Sequence, residues 1–107
     1  MVCVVEDIVK VLKEFKKDIS GVLGNKLVEV ILYGSYARGD YTENSDVDIL
    51  IIVNRKLTPE EESEISRICL DYLLKYEVVI SAVSYPQDLF ALNSSFVKEV
   101  KRAGVRI

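Results

Sequence analysis

Histidine is absent from the 107-residue chain, and cysteine occurs only twice, as Cys3 and Cys69. Zinc sites and Ser-His-Asp or Cys-His catalysis therefore lose their usual components, and the two cysteines lack metal-ligand spacing. Apolar packing is the simpler role for both thiols. Any acid–base chemistry must rest on carboxylates, lysines, tyrosines or solvent. No apolar run approaches the ~20 residues that span a bilayer. The opening MVCVVEDIVK is too short in its apolar part, and too acidic after it, to be a signal peptide. The expectation is a soluble cytoplasmic protein with no membrane partner. A basic excess is missing as well, which argues against a stand-alone nucleic-acid binder.

The net charge is −3, and all of it sits in one stretch. Residues 34–48 hold one base, Arg38, and four acids, Asp40, Glu43, Asp46 and Asp48; elsewhere thirteen bases balance thirteen acids. A concentrated negative site of this kind attracts cations. Half of the residues are hydrophobic and 29% are charged, which suits a packed core. The length suits a single domain over residues 1–107.

Along the chain, Val5, Ile8, Leu12, Phe15, Ile19 and Val22 recur at alternating spacings of three and four, which predicts a helix over 5–23. Lys10, Lys13, Lys16 and Lys17 fall mostly off that stripe and read as a solvated face. Gly24-Asn25 is a helix stop. Leu27 to Tyr33 is a nearly continuous apolar run and reads as a central strand. A loop from Gly34 to Ser45 follows, with a helical turn at 35–39, and then a second strand from Asp46 to Val53. Thr58-Pro59-Glu60-Glu61 is a helix start, with an N-cap, proline at the first position and acids in the first turn. That helix should bury Ile65, Ile68, Cys69, Tyr72 and Leu73. A third strand is expected over Glu77–Ser84, with Pro86 interrupting. Short helical segments near 87–92 and 95–103 and a terminal strand at 105–107 complete the chain. The order α-β-(turn)-β-α-β-α predicts an α/β (α+β) fold with a small mixed sheet of three to four strands and helices packed on it.

The stretch ILYGSYARGDYTENSDVDILIIV (31–53) holds the chemistry. Side chains alternate on a strand, so Asp46 and Asp48 share a face, with Cα atoms ~6.5–7 Å apart. Carboxylates so placed can converge on cations, and two ions ~3.5–4 Å apart serve phosphoryl and nucleotidyl transfer. Magnesium fits, because it favours oxygen ligands and is often shared between carboxylates and substrate phosphates. Gly34 lets backbone approach a ligand closely, and the Ser35 hydroxyl adds a donor. N–H groups at the start of the helical turn could bind a phosphate. Arg38 can reach the same anion, and Gly39 relieves crowding where the loop turns back. A lone Asp-x-Asp is usually turn chemistry. The combination of apolar strand, Gly-Ser, an Arg-Gly loop, Ser-Asp-x-Asp and a second apolar strand is a different matter.

Gly34-Ser35-x-x-x-Gly39 followed by Ser45-Asp46-x-Asp48 resembles the signature of the DNA polymerase beta-like nucleotidyltransferases. The short length and the ending Phe96-Val97-Lys98-Glu99-Val100-Lys101-Arg102-Ala103-Gly104-Val105 resemble the minimal nucleotidyltransferase (MNT) group. The resemblance covers nearly the whole chain. It implies a palm-like nucleotidyltransferase fold, Mg²⁺ dependence with two ions, and a nucleoside triphosphate donor, often ATP. It carries Asp46 and Asp48 over as catalytic metal ligands and Ser35 as a triphosphate contact, with Gly34, Arg38, Gly39 and Ser45 on the nucleotide side. It also implies a frequent partner, a HEPN-domain protein in toxin–antitoxin pairs, in some cases adenylylated on a tyrosine.

Active members of that family place a third acid on the next strand. Here it reads Tyr76-Glu77-Val78-Val79-Ile80-Ser81-Ala82-Val83-Ser84, with the family acid falling at Val79 or Ser81. Glu77 shares their face by alternation but stands two or four residues early. It is the candidate third acid, against a plain role as a solvated strand-start residue. Two functional readings follow: an Mg²⁺-dependent transferase moving AMP from ATP to a hydroxyl, and a non-catalytic nucleotide-binding antitoxin module that works by covering its partner. Tyr33, Tyr72 and Tyr76 read as packing, whereas Tyr36 and Tyr41 sit in the loop and could border the nucleotide or a protein partner. Arg55 and Lys56 read as the exit of the second strand rather than as phosphate ligands.

Overall fold

The stripe of three-and-four spacing folds as its period requires. In the computed structural model, which describes residues 5–42 and 44–107, helix α1 spans Val5–Leu23. Ile8, Leu12, Phe15 and Ile19 are fully buried along it. Cys3, Glu43 and the side chain of Val5 lie outside the described part. Gly24 ends the helix at φ +54°, a left-handed conformation that costs glycine little. The following elements are β1 (Leu27–Tyr33), a single helical turn α2 (Ser35–Arg38), β2 (Val47–Val53), α3 (Pro59–Tyr76), β3 (Ile80–Pro86), α4 (Gln87–Phe90), α5 (Ser95–Ala103) and β4 (Val105–Arg106).

The sheet is four-stranded in the order β3-β2-β1-β4. β1 and β2 are antiparallel, β4 is antiparallel to β1, and β3 is parallel to β2. The parallel pair needs a crossover, and α3 supplies it. Both faces of the central strands are covered, as their continuous apolar runs require. Val30, Leu32, Val47, Ile49, Ile51 and Val53 pack with α1 and with Ile65 and Tyr72 of α3. Ile31, Leu50 and Ile52 face the opposite way, with Val100 of α5 and the flanking Tyr85 and Phe90. That second cover is partial, because Val83, on the same side of β3, stays 44% exposed. No described helix is long and apolar enough to cross a membrane.

Helix α3 starts where its caps predict. The Thr58 hydroxyl accepts from the Glu61 N–H at 3.1 Å, and the Glu61 carboxylate accepts from the Thr58 N–H at 2.8 Å, a reciprocal capping box. The second strand begins at Val47 rather than Asp46, which lies just before it, and two expectations for α3 and the third strand also differ. Leu73 is not buried but 39% exposed, because α3 meets α1 and the sheet along a narrow stripe through Ile65 and Tyr72, and Leu73 is turned ~100° off it. The third strand begins at Ile80 rather than Glu77 and runs on through Pro86. Glu77 ends α3 as a left-handed C-cap (φ 57°), its N–H bonded to the Leu73 carbonyl. Tyr72 and Tyr76 are packing residues, and their hydroxyls donate to Asp18 and Glu14 of α1 at 2.7 Å each.

Candidate functional site

The strand ends bring the two halves of the signature together. β1 runs out at Tyr33, which pairs across the antiparallel ladder with Asp48. Gly34 then turns the chain at φ 74° and ψ −153°, a conformation close to glycine-only backbone space. A side chain at 34 would also collide with Asp48: a Cβ there would overlap the Oδ2 atom and sit 3.1 Å from Cγ. The glycine is thus the surface against which the Asp48 carboxylate rests. The α2 turn closes by Arg38 N–H to Gly34 carbonyl at 3.1 Å and Gly39 N–H to Ser35 carbonyl at 2.9 Å. Gly39 leaves the turn at φ 86°, its expected role in bringing the loop back.

Asp48 sits on the partly covered side of the sheet, opposite the α1–α3 layer. Neither its carboxylate nor that of Asp46 makes a hydrogen bond or ion pair among the described residues. The Asp48 carboxyl is held above the usual carboxylate range, first by burial and then by the Asp46 charge, with Arg38 pulling the other way. Arg38 is itself engaged with Asp40 at 3.3 Å. The adjacent Tyr33 phenol is raised by burial and by the Asp48 charge. Two unneutralised carboxylates, one of them reluctant to ionise, form a donor set that a hard divalent cation would complete. No group of three or more potential metal ligands occurs among the described residues, so substrate oxygens or water must supply the rest of any coordination shell.

The remaining candidates divide. The Ser35 hydroxyl heads α2 and makes no hydrogen bond among the described residues. The Ser45 hydroxyl instead accepts the Thr42 N–H at 2.9 Å, and the Ser45 N–H donates to the Thr42 carbonyl at 3.0 Å, so it shapes the loop before Asp46. Parallel pairing sets Ser81 directly beside Asp48, and Val79 accepts the Val47 N–H at 2.8 Å. Ser81 is therefore the position next to the aspartate pair from which a third side chain would act. Glu77, expected there as a strand residue, lies before the strand in the helix cap, so alternation along β3 does not extend to it. Arg55 and Lys56 leave β2 at its opposite end, ~20 Å along the strand from Asp48.

Two tyrosines carry information that spacing alone did not. Tyr36, expected in the loop where it could border the nucleotide or a partner, is buried and stacks on Tyr41 with ring centroids 4.3 Å apart, so the pair pins α2 to the core. Tyr33 meets Phe96 of α5 edge-on at 5.5 Å. Phe96, Glu99 and Val100 join Tyr33, Gly34 and Arg38 around a pocket of about 230 Å³ that opens beside the aspartate pair. The sequence signal for it is the aromatic at 96, beside the apolar positions Val97 and Val100 of the last helix.

A small mixed sheet with a Gly-Ser turn at the end of one strand and an Asp-x-Asp pair at the start of its antiparallel neighbour, Asp46 just before the strand and Asp48 on it, defines the nucleotidyltransferase class of fold. Residues 8–103 match the family model described as "Nucleotidyltransferase domain", and the chain belongs to that family of transferase enzymes. It is 48% identical over 101 residues to "Putative protein adenylyltransferase MJ0141" of Methanocaldococcus jannaschii, covering 94% of this chain and 99% of that protein. A second relative of the same organism, "Putative protein adenylyltransferase MJ0604", is 39% identical over 97 residues, covering 89% and 92%. Among solved structures, a "putative nucleotidyltransferase from Sulfolobus solfataricus" superposes with a TM-score of 0.61 at 22% identity, over 91% of this chain and 76% of that one. A toxin–antitoxin structure with AMP-PNP superposes at 0.59 and 18% identity, over 88% and 70%. These structural likenesses establish the fold.

Proposed function

We propose that the chain acts as a single Mg²⁺-dependent nucleotidyltransferase domain that moves AMP from ATP to a hydroxyl, with a tyrosine of a partner HEPN-type toxin as the acceptor. The observation that carries this reading is the contact between Gly34 and Asp48. It locks the phosphate-side loop and the acidic strand into one site, so a group bound by one is presented to the other. In this reading Gly34, Ser35 and Arg38 hold the triphosphate, Gly39 and Ser45 set the path of the loop, and Asp46 and Asp48 hold the metal, with two Mg²⁺ ions as the resemblance implies. Bound magnesium would neutralise charge on the phosphates. The acceptor oxygen forms a bond to the α-phosphorus as the bond to the bridging oxygen breaks and pyrophosphate leaves. The acceptor's proton goes to a base. Ser81 is too weak a base for it, and Glu77 is the candidate acid nearest in sequence. The relatives' names and the AMP-PNP of the toxin–antitoxin neighbour support adenylate chemistry and a protein acceptor.

The test is incubation with α-labelled ATP, Mg²⁺ and a HEPN-type protein. Label on the partner that disappears in Asp46→Asn/Asp48→Asn supports the transferase. Loss of label in Glu77→Gln assigns it the proton, and unchanged transfer leaves the proton to solvent. The serine beside Asp48 favours one alternative, a non-catalytic antitoxin module. A tight complex without transfer, indifferent to both aspartate changes, would establish that alternative and reject the enzyme.

A further inference from the structure

We infer that the pocket between β1 and α5 receives the adenine ring of the nucleotide and that Glu99 selects it by its amino group. The inference rests on the reading above, in which the Gly34 loop holds a nucleoside triphosphate. The pocket shares Gly34 and Arg38 with that loop, so it is continuous with the phosphate side of the site. At about 230 Å³ it is smaller than the ~300–1,000 Å³ of pockets that enclose whole drug-sized ligands, and it suits one ring system of a larger molecule.

Its walls say which part of the nucleotide enters. Tyr33, Phe96 and Val100 give it an apolar lining, and Phe96 remains 42% exposed although it is held edge-on by Tyr33 and tilted against Tyr85 at 6.0 Å. A fixed, exposed ring at a pocket edge is a platform for a flat base. The Glu99 carboxylate on the rim repels phosphate, so the triphosphate belongs on the Arg38 side and the base on the α5 side.

Glu99 also reads the base edge. It bonds to Arg102, whose Nε donates to Oε2 at 3.1 Å and whose Nη2 donates to Oε1 at 2.5 Å. A carboxylate offers about four lone-pair sites, so each oxygen retains capacity after that pairing. It can only accept when ionised, and Arg102 holds its carboxyl below the usual range. An amino group is therefore favoured at the rim, and a keto oxygen in its place meets acceptor with acceptor. An analogue that lacks the amino group forgoes a charge-assisted hydrogen bond to this carboxylate.

Purine riboside triphosphate replaces the adenine amino group by hydrogen and leaves the rest, the N1 acceptor included, in place. Calorimetric titration with ATP and with purine riboside triphosphate, each with Mg²⁺, is expected to give about tenfold tighter binding of ATP to the wild-type chain. Glu99→Ala, which removes the acceptor, is expected to bring the two within about twofold. Phe96→Ala should weaken both about tenfold and preserve their ratio. Both side chains are exposed on α5, so the variants keep the core intact. Equal affinities for ATP and purine riboside triphosphate that stay Mg²⁺-dependent, are lost in Asp48→Asn and are unmoved by Glu99→Ala and Phe96→Ala would overturn the pocket assignment and leave the nucleotidyltransferase reading standing. Absence of any nucleotide binding would overturn both.

Discussion

Gly34 and Asp48 form the smallest unit of the site, and each constrains the other. The glycine combines a positive φ with a surface on which the aspartate carboxylate lies. Gly34→Ala must distort a backbone conformation that costs of order 1–3 kcal/mol for a residue with a side chain, and it must also push Asp48 away. Chemical denaturation should show a loss of that size, and Mg²⁺-ATP binding should fall below detection. An unchanged nucleotide affinity would separate the Gly34 contact from the site. Asp48 allows a second expectation. Its carboxyl is raised above the ordinary 3.8, chiefly by burial and next by Asp46, so the folded chain holds the proton more tightly than the unfolded one. Stability falls as pH rises through the window from the ordinary value to the raised one. In metal-free buffer Asp48→Asn should be more stable than wild type at pH 7, by less than ~1 kcal/mol for so partly exposed a charge. The difference should vanish below the ordinary value, where both side chains are neutral. Urea melts at pH 7 and pH 3 measure it directly, and a destabilised Asp48→Asn at pH 7 would contradict the electrostatic account.

At the scale of elements, the sequence was most informative where signals were local. The stripe through Ile8, Leu12, Phe15 and Ile19 and the cap at Thr58 place α1 and α3 within their observed bounds, since both depend on neighbours three or four residues away. The beginning of β3 was not legible. Val78 and Val79 look like strand residues, but Glu77 ends the preceding helix in a left-handed conformation and the chain joins the sheet only at Ile80. The two halves of the signature were legible as a motif, but the contact of Gly34 with Asp48 and the pairing of Asp48 with Ser81 depend on sheet register that no local pattern encodes. Burial of Tyr36 was hidden for the same reason. That register has a consequence for β3. Ser81→Asp sets a third carboxylate beside the pair, where proton transfer by a positioned group is worth ~10²–10⁴-fold. Transfer of labelled AMP should rise at least about tenfold over wild type, while the metal-free variant should melt earlier through added like-charge repulsion. No increase would mean that proton removal does not limit this enzyme.

Over the whole molecule, the placement of charge and the placement of cover agree. The chain's net charge of −3 is confined to residues 34–48, and the sheet face bearing Asp48 is the one that α4 and α5 leave partly open. A metal-free chain therefore concentrates repulsion at one end of an otherwise balanced, well-packed body, and ligand should act on the stability of the entire fold. Binding to the folded state alone stabilises by about 2.7 kcal/mol when ligand is present at 100 times its dissociation constant. In a domain of about this length each kcal/mol raises the melting temperature by ~4–8 °C. Saturating Mg²⁺-ATP should thus shift the thermal midpoint upward by about 10–20 °C, with a much smaller effect of ATP in the presence of a chelator. Asp46→Asn/Asp48→Asn should remove the shift while its metal-free midpoint stays at or above that of wild type. That pairing separates a ligand site from a structural role, because residues needed for folding would lower both midpoints together, whereas residues kept for binding give up stability in the empty protein and return it when the ligand arrives.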